Sequence, residues 1–166
     1  MDASAAQVVG HVIIGLGNGG AENSLYKLCL SDSINRHFVI SLTGSGHYRE
    51  RLESAGVVVR LLSLKRSNAL RTIRALRRLL KEQRPDVIHA WMPHAILFAS
   101  LAAAGLRGVT VVWSIRATDY GRGLATIPTR VITIFLAHLS QRVPKTIIFV
   151  AEQAKQSHIK LGFSQE

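Results

Sequence analysis

The clearest chemical feature of the sequence is a loop with four glycines in six residues. Gly15, Gly17, Gly19 and Gly20 stand between an apolar run, residues 8–14, and a helical pattern. A loop without side chains lets backbone N–H groups approach a phosphate at a helix N-terminus, which favours a pyrophosphate-binding loop. The alternative is a loop whose backbone needs positive φ angles, which glycine supplies without any ligand.

Three of these glycines formally match the dinucleotide-binding pattern G-x-G-x-x-G. A dehydrogenase of that kind would also carry an acidic residue at the end of its second strand, where the carboxylate bonds the ribose. The second predicted strand ends near Leu42 with no Asp or Glu. The sequence therefore disfavours a nicotinamide or flavin dehydrogenase.

A second feature is a strongly basic helical segment, residues 69–83. Its spacing places Leu70, Ile73, Leu76 and Leu80 on one side, and Arg71, Arg74, Arg78 and Lys81, here called the cationic stripe, on the other. The apolar side is expected to pack on a sheet. The cationic stripe fits an anionic lipid surface, each cation contributing about 1 kcal/mol, and equally a solvated face. Nucleic-acid binding is disfavoured because no aromatic residues interleave with the cations.

The composition predicts one domain over residues 1–166. The chain is 48% hydrophobic, enough for one core, and no repeat or linker divides it. It carries 21 Lys and Arg against 10 Asp and Glu, a formal charge of +11 that attracts polyanions. The single cysteine, Cys29, excludes an internal disulfide and is expected in the core. We find no signal peptide and no apolar run long enough to span a membrane, which indicates a cytoplasmic protein.

Runs rich in Val and Ile alternate with helical patterns along the chain, as is typical of βαβ units. Strands are predicted at residues 8–14, 37–42, 57–62, 87–89, 109–114 and 146–150. Helices are predicted at residues 21–31, 47–55, 69–83, 93–104, 128–141 and 152–161, with Gly56, Gly105 and Gly162 as C-caps. Continuously apolar strands need cover on both faces. The predicted fold class is α/β, a Rossmann-like three-layer α/β/α sandwich with a mainly parallel sheet.

Four segments carry polar or aromatic residues near the ends of these elements. They are Gly19-Gly-Ala-Glu22, Arg84-Pro-Asp-Val-Ile-His-Ala-Trp-Met-Pro-His-Ala95, Trp113-Ser-Ile-Arg116 and His158-Ile-Lys-Leu-Gly-Phe163. In this order they resemble the N-terminal domain of group 1, family 4 glycosyltransferases, of the type that builds bacterial capsule, lipopolysaccharide and related surface polysaccharides.

The resemblance implies the N-terminal half of a GT-B architecture, in which two Rossmann-like domains face each other across a cleft. The N-terminal domain mainly contacts the acceptor, and the C-terminal domain holds the nucleotide-sugar. On this basis we expect the C-terminal domain to be absent from the chain. The 166 residues alone are then expected to have little or no transferase activity.

The resemblance also implies roles for residues of the glycine loop. Gly19 and Gly20 would supply amides to the donor diphosphate, while Asn18 and Glu22 would flank them near the acceptor. Local structure offers alternatives. Asn18 is typical of a turn, and a carboxylate such as Glu22 is favourable in the first turn of any helix.

For the fourth strand, the resemblance implies acceptor contacts by His89, Trp91 and His94. The imidazoles would bond a sugar hydroxyl, and the indole would stack on a pyranose. His94 is expected to be neutral because a helix N-terminus disfavours added positive charge. The alternatives are core positions for His89 and Trp91.

Arg116 ends the fifth predicted strand, where many relatives carry a histidine. A guanidinium stays protonated, so it cannot act as a base, but it can clamp a phosphate or carboxylate. Arg116 and His94 are the predicted catalytic residues. The alternative for Arg116 is a surface ion pair with Asp119, which is otherwise grouped with the acceptor-binding residues.

The reaction implied by the resemblance is retaining transfer of a hexosyl group from a nucleotide-sugar to a glycan acceptor, expected to be lipid-linked. The leaving diphosphate is stabilised electrostatically and takes the acceptor proton. No metal and no cofactor are expected, because there is no Asp-x-Asp motif and the scattered histidines show no ligand spacing. The expected location is the cytoplasm, with peripheral attachment to the inner face of the plasma membrane. Two alternatives stay open: a non-catalytic module for a phosphorylated partner, and half of a sugar-nucleotide epimerase.

Overall fold

The computed structural model describes residues 5–116 and 127–164. Within them, six parallel strands form one sheet: β1 Val8–Ile13, β2 Arg36–Ser41, β3 Val58–Leu61, β4 Val87–Trp91, β5 Thr110–Ile115 and β6 Thr146–Phe149. Six α-helices connect or follow them: α1 Gly20–Ser31, α2 His47–Ser54, α3 Ala69–Gln83, α4 Pro93–Ala103, α5 Ile127–Leu139 and α6 Glu152–Lys160. The predicted α/β fold class and its Rossmann-like layering are confirmed.

The strands are apolar on both faces because each face has its own core. Val12 and Phe38 belong to a cluster that includes Leu76 of α3, whereas their neighbours in sequence, Ile13 and Val39, belong to a second cluster with residues of α1 and α2. Successive residues of a strand point to opposite sides. Helices α1 and α2 therefore cover one face, and α3, α4 and α5 cover the other.

The order across the sheet is β3-β2-β1-β4-β5-β6, so β1 pairs with both β2 and β4. The chain runs outward from β1 to β3 and then returns to the centre to continue with β4. The loops after β1 and β4 therefore leave in opposite directions, which opens a crevice at the carboxyl edge between them. The loops on either side of this position are the glycine loop after β1 and the turn with His94 after β4.

The boundaries of the predicted elements agree with the structure to within two residues, and one of the largest differences is at β4, predicted at residues 87–89. There the pairing with β5 continues to Trp91 opposite Ser114, so His89 lies inside the strand and does not end it. The three predicted C-caps are confirmed, since Gly56, Gly105 and Gly162 have φ angles of 81°, 71° and 94°. Cys29 is buried as a free thiol, as predicted.

Helix α3 differs from its predicted amphipathic pattern at its start. Leu76 and Leu80 are fully buried, but Leu70 is 71% exposed and does not belong to the packed face. The cationic stripe is exposed along its whole length. Arg77, which lies beside it, has a separate structural role, because its guanidinium donates hydrogen bonds to the carbonyl groups of Ala102 and Ala104 at the end of α4. Among the described residues, no helix combines the length and apolar character that crossing a membrane requires.

Candidate functional site

Three loops meet the carboxyl edge of the sheet at its centre. The glycine loop follows β1, the turn with His94 follows β4, and Arg116 follows β5 directly. Because β1, β4 and β5 are adjacent and parallel, all three loops lie at the same edge. This is the arrangement that the sequence predicts for a ligand site.

The half-buried Arg116 links these loops. Its guanidinium lies 5.6 Å from the centre of the Trp91 ring, and its Nη2 donates a hydrogen bond to the Ser24 hydroxyl on α1. Ser24 in turn donates to the carbonyl group of Gly20 at 2.9 Å. Arg116 therefore reaches from β5 over β4 to the first turns of α1, and brings a fixed positive charge to the glycine loop.

The glycine loop does not need glycine for its backbone conformation. None of Gly15, Gly17, Gly19 and Gly20 has a positive φ angle, and Gly19 is extended at φ −120° and ψ 172°. The alternative of a loop that requires positive φ is therefore wrong. A Cβ added at Gly20 would find nothing within 4 Å, so the absent side chain leaves open space in front of α1.

The start of α1 carries a carboxylate but no side-chain cap. The Glu22 side chain folds back over the loop, and its Oε2 would lie 2.4 Å from a Cβ at Gly19. An anion is favourable at a helix N-terminus, so the Glu22 carboxylate lies where a ligand anion would also be attracted. Asn18 is exposed. The acceptor-binding roles of both residues remain predictions.

Gly46, which the sequence did not single out, packs against the backbone of the glycine loop. A Cβ at Gly46 would lie 2.2 Å from the Leu16 carbonyl oxygen and 2.8 Å from the Gly17 nitrogen. The Tyr48 N–H donates to that same carbonyl group at 3.0 Å. Gly46 therefore lets the start of α2 pack directly against the glycine loop. The only sequence signal was its position just before a helix.

The turn that carries His94 is strained. Met92 has φ 68° and ψ 155°, a region that residues with a side chain rarely adopt, and such strain concentrates at functional sites. The Met92 N–H donates to the Ser114 carbonyl group on β5 at 3.0 Å. His94 follows in the first turn of α4, half-buried, and desolvation lowers the pKa of its imidazole. This direction agrees with the prediction of a neutral His94.

His89 and Trp91 are interior residues, 7% and 3% exposed. Their ring centres are 4.4 Å apart at an angle of 31°. Burial, and next the charge of Arg116, lower the pKa of His89 to about 4, so the imidazole is neutral at physiological pH. This is the core position that the sequence offered as the alternative. Direct contact of either ring with an acceptor remains a prediction.

Sequence reasoning missed a polar cluster on the same face of the sheet. His11 and His37 are buried, and the His11 Nε2 lies 3.0 Å from the His37 Nδ1. The candidate ligand atoms of His11, Cys29 and His37 all lie within 4.8 Å of one another, so these histidines are not scattered in space. The available signal was a histidine inside each of three mainly apolar strands, β1, β2 and β4.

The remaining predicted residues either lie away from the carboxyl edge of the sheet or fall outside the residues that the structure describes. The cationic stripe is on α3, which covers the sheet face opposite to α1. There Arg74, Arg77, Arg78, Lys81 and Glu82 line a shallow depression of about 410 Å³. Asp119 lies outside the described residues, so its predicted ion pair with Arg116 is not described.

Solved structures share this fold. The Anabaena protein Alr3699/HepE in complex with UDP and glucose superimposes with a TM-score of 0.77 at 16% identity, over 95% of this chain and 42% of that one. The lipopolysaccharide outer core galactosyltransferase WaaB, in its apo form, gives 0.64 at 15% identity over 95% and 43%. The UDP-GlcNAc 2-epimerase of Methanocaldococcus jannaschii gives 0.58 at 13% identity over 95% and 43%.

The chain thus spans less than half the length of these structural neighbours. No match is found among curated proteins. Residues 18–166 match the family described as Glycosyltransferase Family 4. On this match over most of its length, the chain belongs to glycosyltransferase family 4.

Proposed function

We propose that this chain is the acceptor-side half of a metal-independent hexosyltransferase that uses a nucleotide-sugar and retains the anomeric configuration. The observation that carries the proposal is the position of Arg116. Its guanidinium bonds Ser24 in the helix that follows the open glycine loop, beside the point between β1 and β4 where the strand order reverses. HepE, which has the same fold, has been solved in complex with UDP-glucose. We infer that the diphosphate of a nucleotide-sugar approaches Gly19 and Gly20 of this chain.

Arg116 and the glycine loop act on the leaving group. When the bond between the anomeric carbon and the diphosphate oxygen breaks, negative charge develops on that oxygen. A guanidinium and backbone amides already in position stabilise this charge without reorganising. The leaving phosphate oxygen takes the proton of the acceptor hydroxyl, so no protein base is needed. A neutral His94 donates a hydrogen bond to a sugar hydroxyl beside the reacting carbon.

We further propose that the acceptor is a lipid-linked glycan of cell-surface polysaccharide synthesis. The protein would then work in the cytoplasm, at the inner face of the plasma membrane. The cationic stripe and the exposed apolar side chains Val131, Ile134 and Phe135 of α5 lie on helices that cover the same sheet face. Helix α4 packs against both α3 and α5, so the cations and the apolar groups share a face without being shown in contact. A face that carries both kinds of group is typical of surfaces that rest on anionic bilayers.

Charge reversal of the cationic stripe is expected to weaken membrane binding. Each cation near an anionic surface contributes about 1 kcal/mol, so replacing all four with Glu should lower partitioning into phosphatidylserine vesicles by at least about 100-fold. Co-sedimentation at low ionic strength measures this. The matched control reverses four exposed cations elsewhere: Lys27, Arg36, Arg60 and Lys160. Equal losses in both variants would show that only net charge matters and would remove the stripe from the proposal.

A nucleotide-sugar screen with product analysis tests the reaction. The protein should carry this chain together with a donor-binding domain, and the expected product is a glycoside with the anomeric configuration of the donor. Epimerisation of a UDP-sugar without any acceptor would identify half of an epimerase instead. Binding of phosphorylated ligands without turnover of any sugar would leave the binding-module alternative.

A further inference from the structure

Four aromatic rings are buried together on the sheet face that α1 covers: His11 of β1, His37 of β2, and His89 and Trp91 of β4. His11 lies opposite His89 in the register of β1 and β4, and its ring centre lies 5.2 Å from that of His37. The proposed reaction uses neither His11 nor His37. Buried polar rings inside apolar strands carry a desolvation cost unless they are hydrogen-bonded, so their bonds indicate what the cluster does.

The bonds fix the proton positions in this cluster. An indole N–H can only donate, and the Trp91 Nε1 lies 3.3 Å from the His11 Nδ1, which must therefore be unprotonated. A neutral His11 then carries its proton on Nε2 and donates it to the His37 Nδ1 at 3.0 Å. His37 must carry its own proton on Nε2, which lies 3.2 Å from the Asp32 Oδ2.

The surroundings of His11 and Asp32 keep the first neutral and the second ionised, as this series of contacts requires. Burial holds the pKa of His11 well below its usual value, so the ring stays neutral. Hydrogen bonds from Asn35 lower the pKa of Asp32 to about 2, so its carboxylate is ionised. The hydrogen bonds therefore run in one direction, from the Trp91 indole through His11 to His37, and the Asp32 carboxylate lies beside the His37 Nε2 without a hydrogen bond to it.

The Trp91 ring also contacts a residue of the candidate site. The Arg116 guanidinium lies over this ring and donates to Ser24, and these contacts fix its position between β4 and α1. A guanidinium over an indole is attracted by the ring, but only while the ring keeps its orientation. His11 supplies the hydrogen bond that holds the ring.

We propose that His11 is a positioning residue: by accepting the Trp91 N–H, it fixes the indole on which Arg116 rests and so sets the direction in which Arg116 presents its charge to an anionic ligand. This inference rests on the proposed function of Arg116. It also gives Trp91 a role that needs no contact with a sugar.

A buried metal ion is the competing explanation of the cluster. An ion bound by the His11 Nε2, the His37 Nδ1 and the Cys29 Sγ would place the His11 proton on Nδ1, facing the N–H of Trp91. Two donors would then oppose each other. Burial also raises the pKa of the Cys29 thiol to about 12, so an ion would have to displace a firmly held proton from the sulfur.

The proton positions can be read on this chain without any variant. Long-range 1H–15N correlations of the 15N-labelled protein should show His11 with its proton on Nε2. A proton on Nδ1 would overturn the proposal, as would stoichiometric binding of Zn²⁺ that shifts both His11 and Cys29.

Two variants then separate positioning from packing. His11→Leu removes the acceptor, whereas His11→Asn keeps an amide oxygen near the place of the Nδ1. The leucine variant should shift the Trp91 indole resonance, leave the Trp113 indole resonance in place, and weaken inorganic pyrophosphate binding, followed at the Gly20 amide, by about three- to tenfold. The asparagine variant should restore both readouts. Equal pyrophosphate affinity in the leucine, asparagine and parent proteins would overturn the proposal.

Two further variants complete the test. If His11→Leu does not fold, Trp91→Phe keeps an aromatic ring but removes the N–H, and it should change the His11 15N signals and weaken pyrophosphate binding. Arg116→Ala distinguishes the proposed function of Arg116 from the positioning role of His11. If that variant binds pyrophosphate as well as the parent does, the proposed function fails. If Arg116→Ala weakens binding but His11→Leu does not, only the positioning role fails.

Discussion

Replacing Arg116 with alanine is expected to lower kcat/KM of the complete transferase by about 100- to 1,000-fold, which is the usual cost of removing one preorganised donor from a developing oxyanion. The geometry supports this expectation. The guanidinium is half-buried at the carboxyl edge, fixed by Trp91 and Ser24, and it lies next to the first turn of α1. In the proposed mechanism, the alanine variant lacks the guanidinium that would stabilise the leaving diphosphate.

The fold should tolerate this change, because Arg116 follows β5 and its described contacts are one hydrogen bond and one ring contact. The thermal midpoint should therefore stay close to that of the parent. Arg116→Lys keeps the charge but loses the planar fork, so its activity should lie between those of the parent and the alanine variant. Arg36→Ala, at an exposed site at the opposite end of the sheet, is the matched control. Unchanged turnover in Arg116→Ala would remove this residue from the site.

Replacing Gly20 with alanine should separate ligand binding from folding. A Cβ at this position meets nothing within 4 Å and the φ angle is not positive, so stability should change by less than about 1 kcal/mol. A diphosphate that approaches the loop would meet the added methyl group, so donor affinity should fall about tenfold or more. Calorimetry of donor binding and a denaturant titration measure the two quantities.

Gly46→Ala is the matched control for that experiment. Its Cβ would lie 2.2 Å from the Leu16 carbonyl oxygen, and backbone atoms cannot move aside as a flexible side chain can. This variant should lose about 1–3 kcal/mol of stability, the usual range for an overpacked site. If Gly20→Ala binds the donor normally, the open space before α1 is not a phosphate site.

The order and type of the elements could be predicted because each signal is local. Apolar runs of fixed length, glycines after helices and Pro93 at the start of α4 act within one turn or one strand. The position of the glycine loop, His94 and Arg116 at one edge could also be predicted, because parallel strands end at the same edge of a sheet. Leu70 shows the limit of such patterns: the helical spacing includes it, but the packed face of α3 begins further along the helix.

The details of the site depend on contacts between residues distant in sequence. Arg116 and Ser24 are 92 residues apart, and the sequence gives no sign that they meet. The same holds for Trp91 and His11, which are 80 residues apart. Their hydrogen bond gives Trp91 a role in the interior, whereas the sequence predicted that its indole stacks on an acceptor sugar. The positive φ of Met92 also follows from the tertiary structure, since its N–H is drawn to β5.

Amide chemical-shift mapping can show whether a nucleotide-sugar binds at the glycine loop. UDP-glucose is titrated into the 15N-labelled chain at millimolar concentration, because binding by this half alone is expected to be weak. We expect amide shifts at Gly19 and Gly20 that extend to His94 and Arg116. Shifts confined to α3, or to the opposite edge near Asp86, would contradict it.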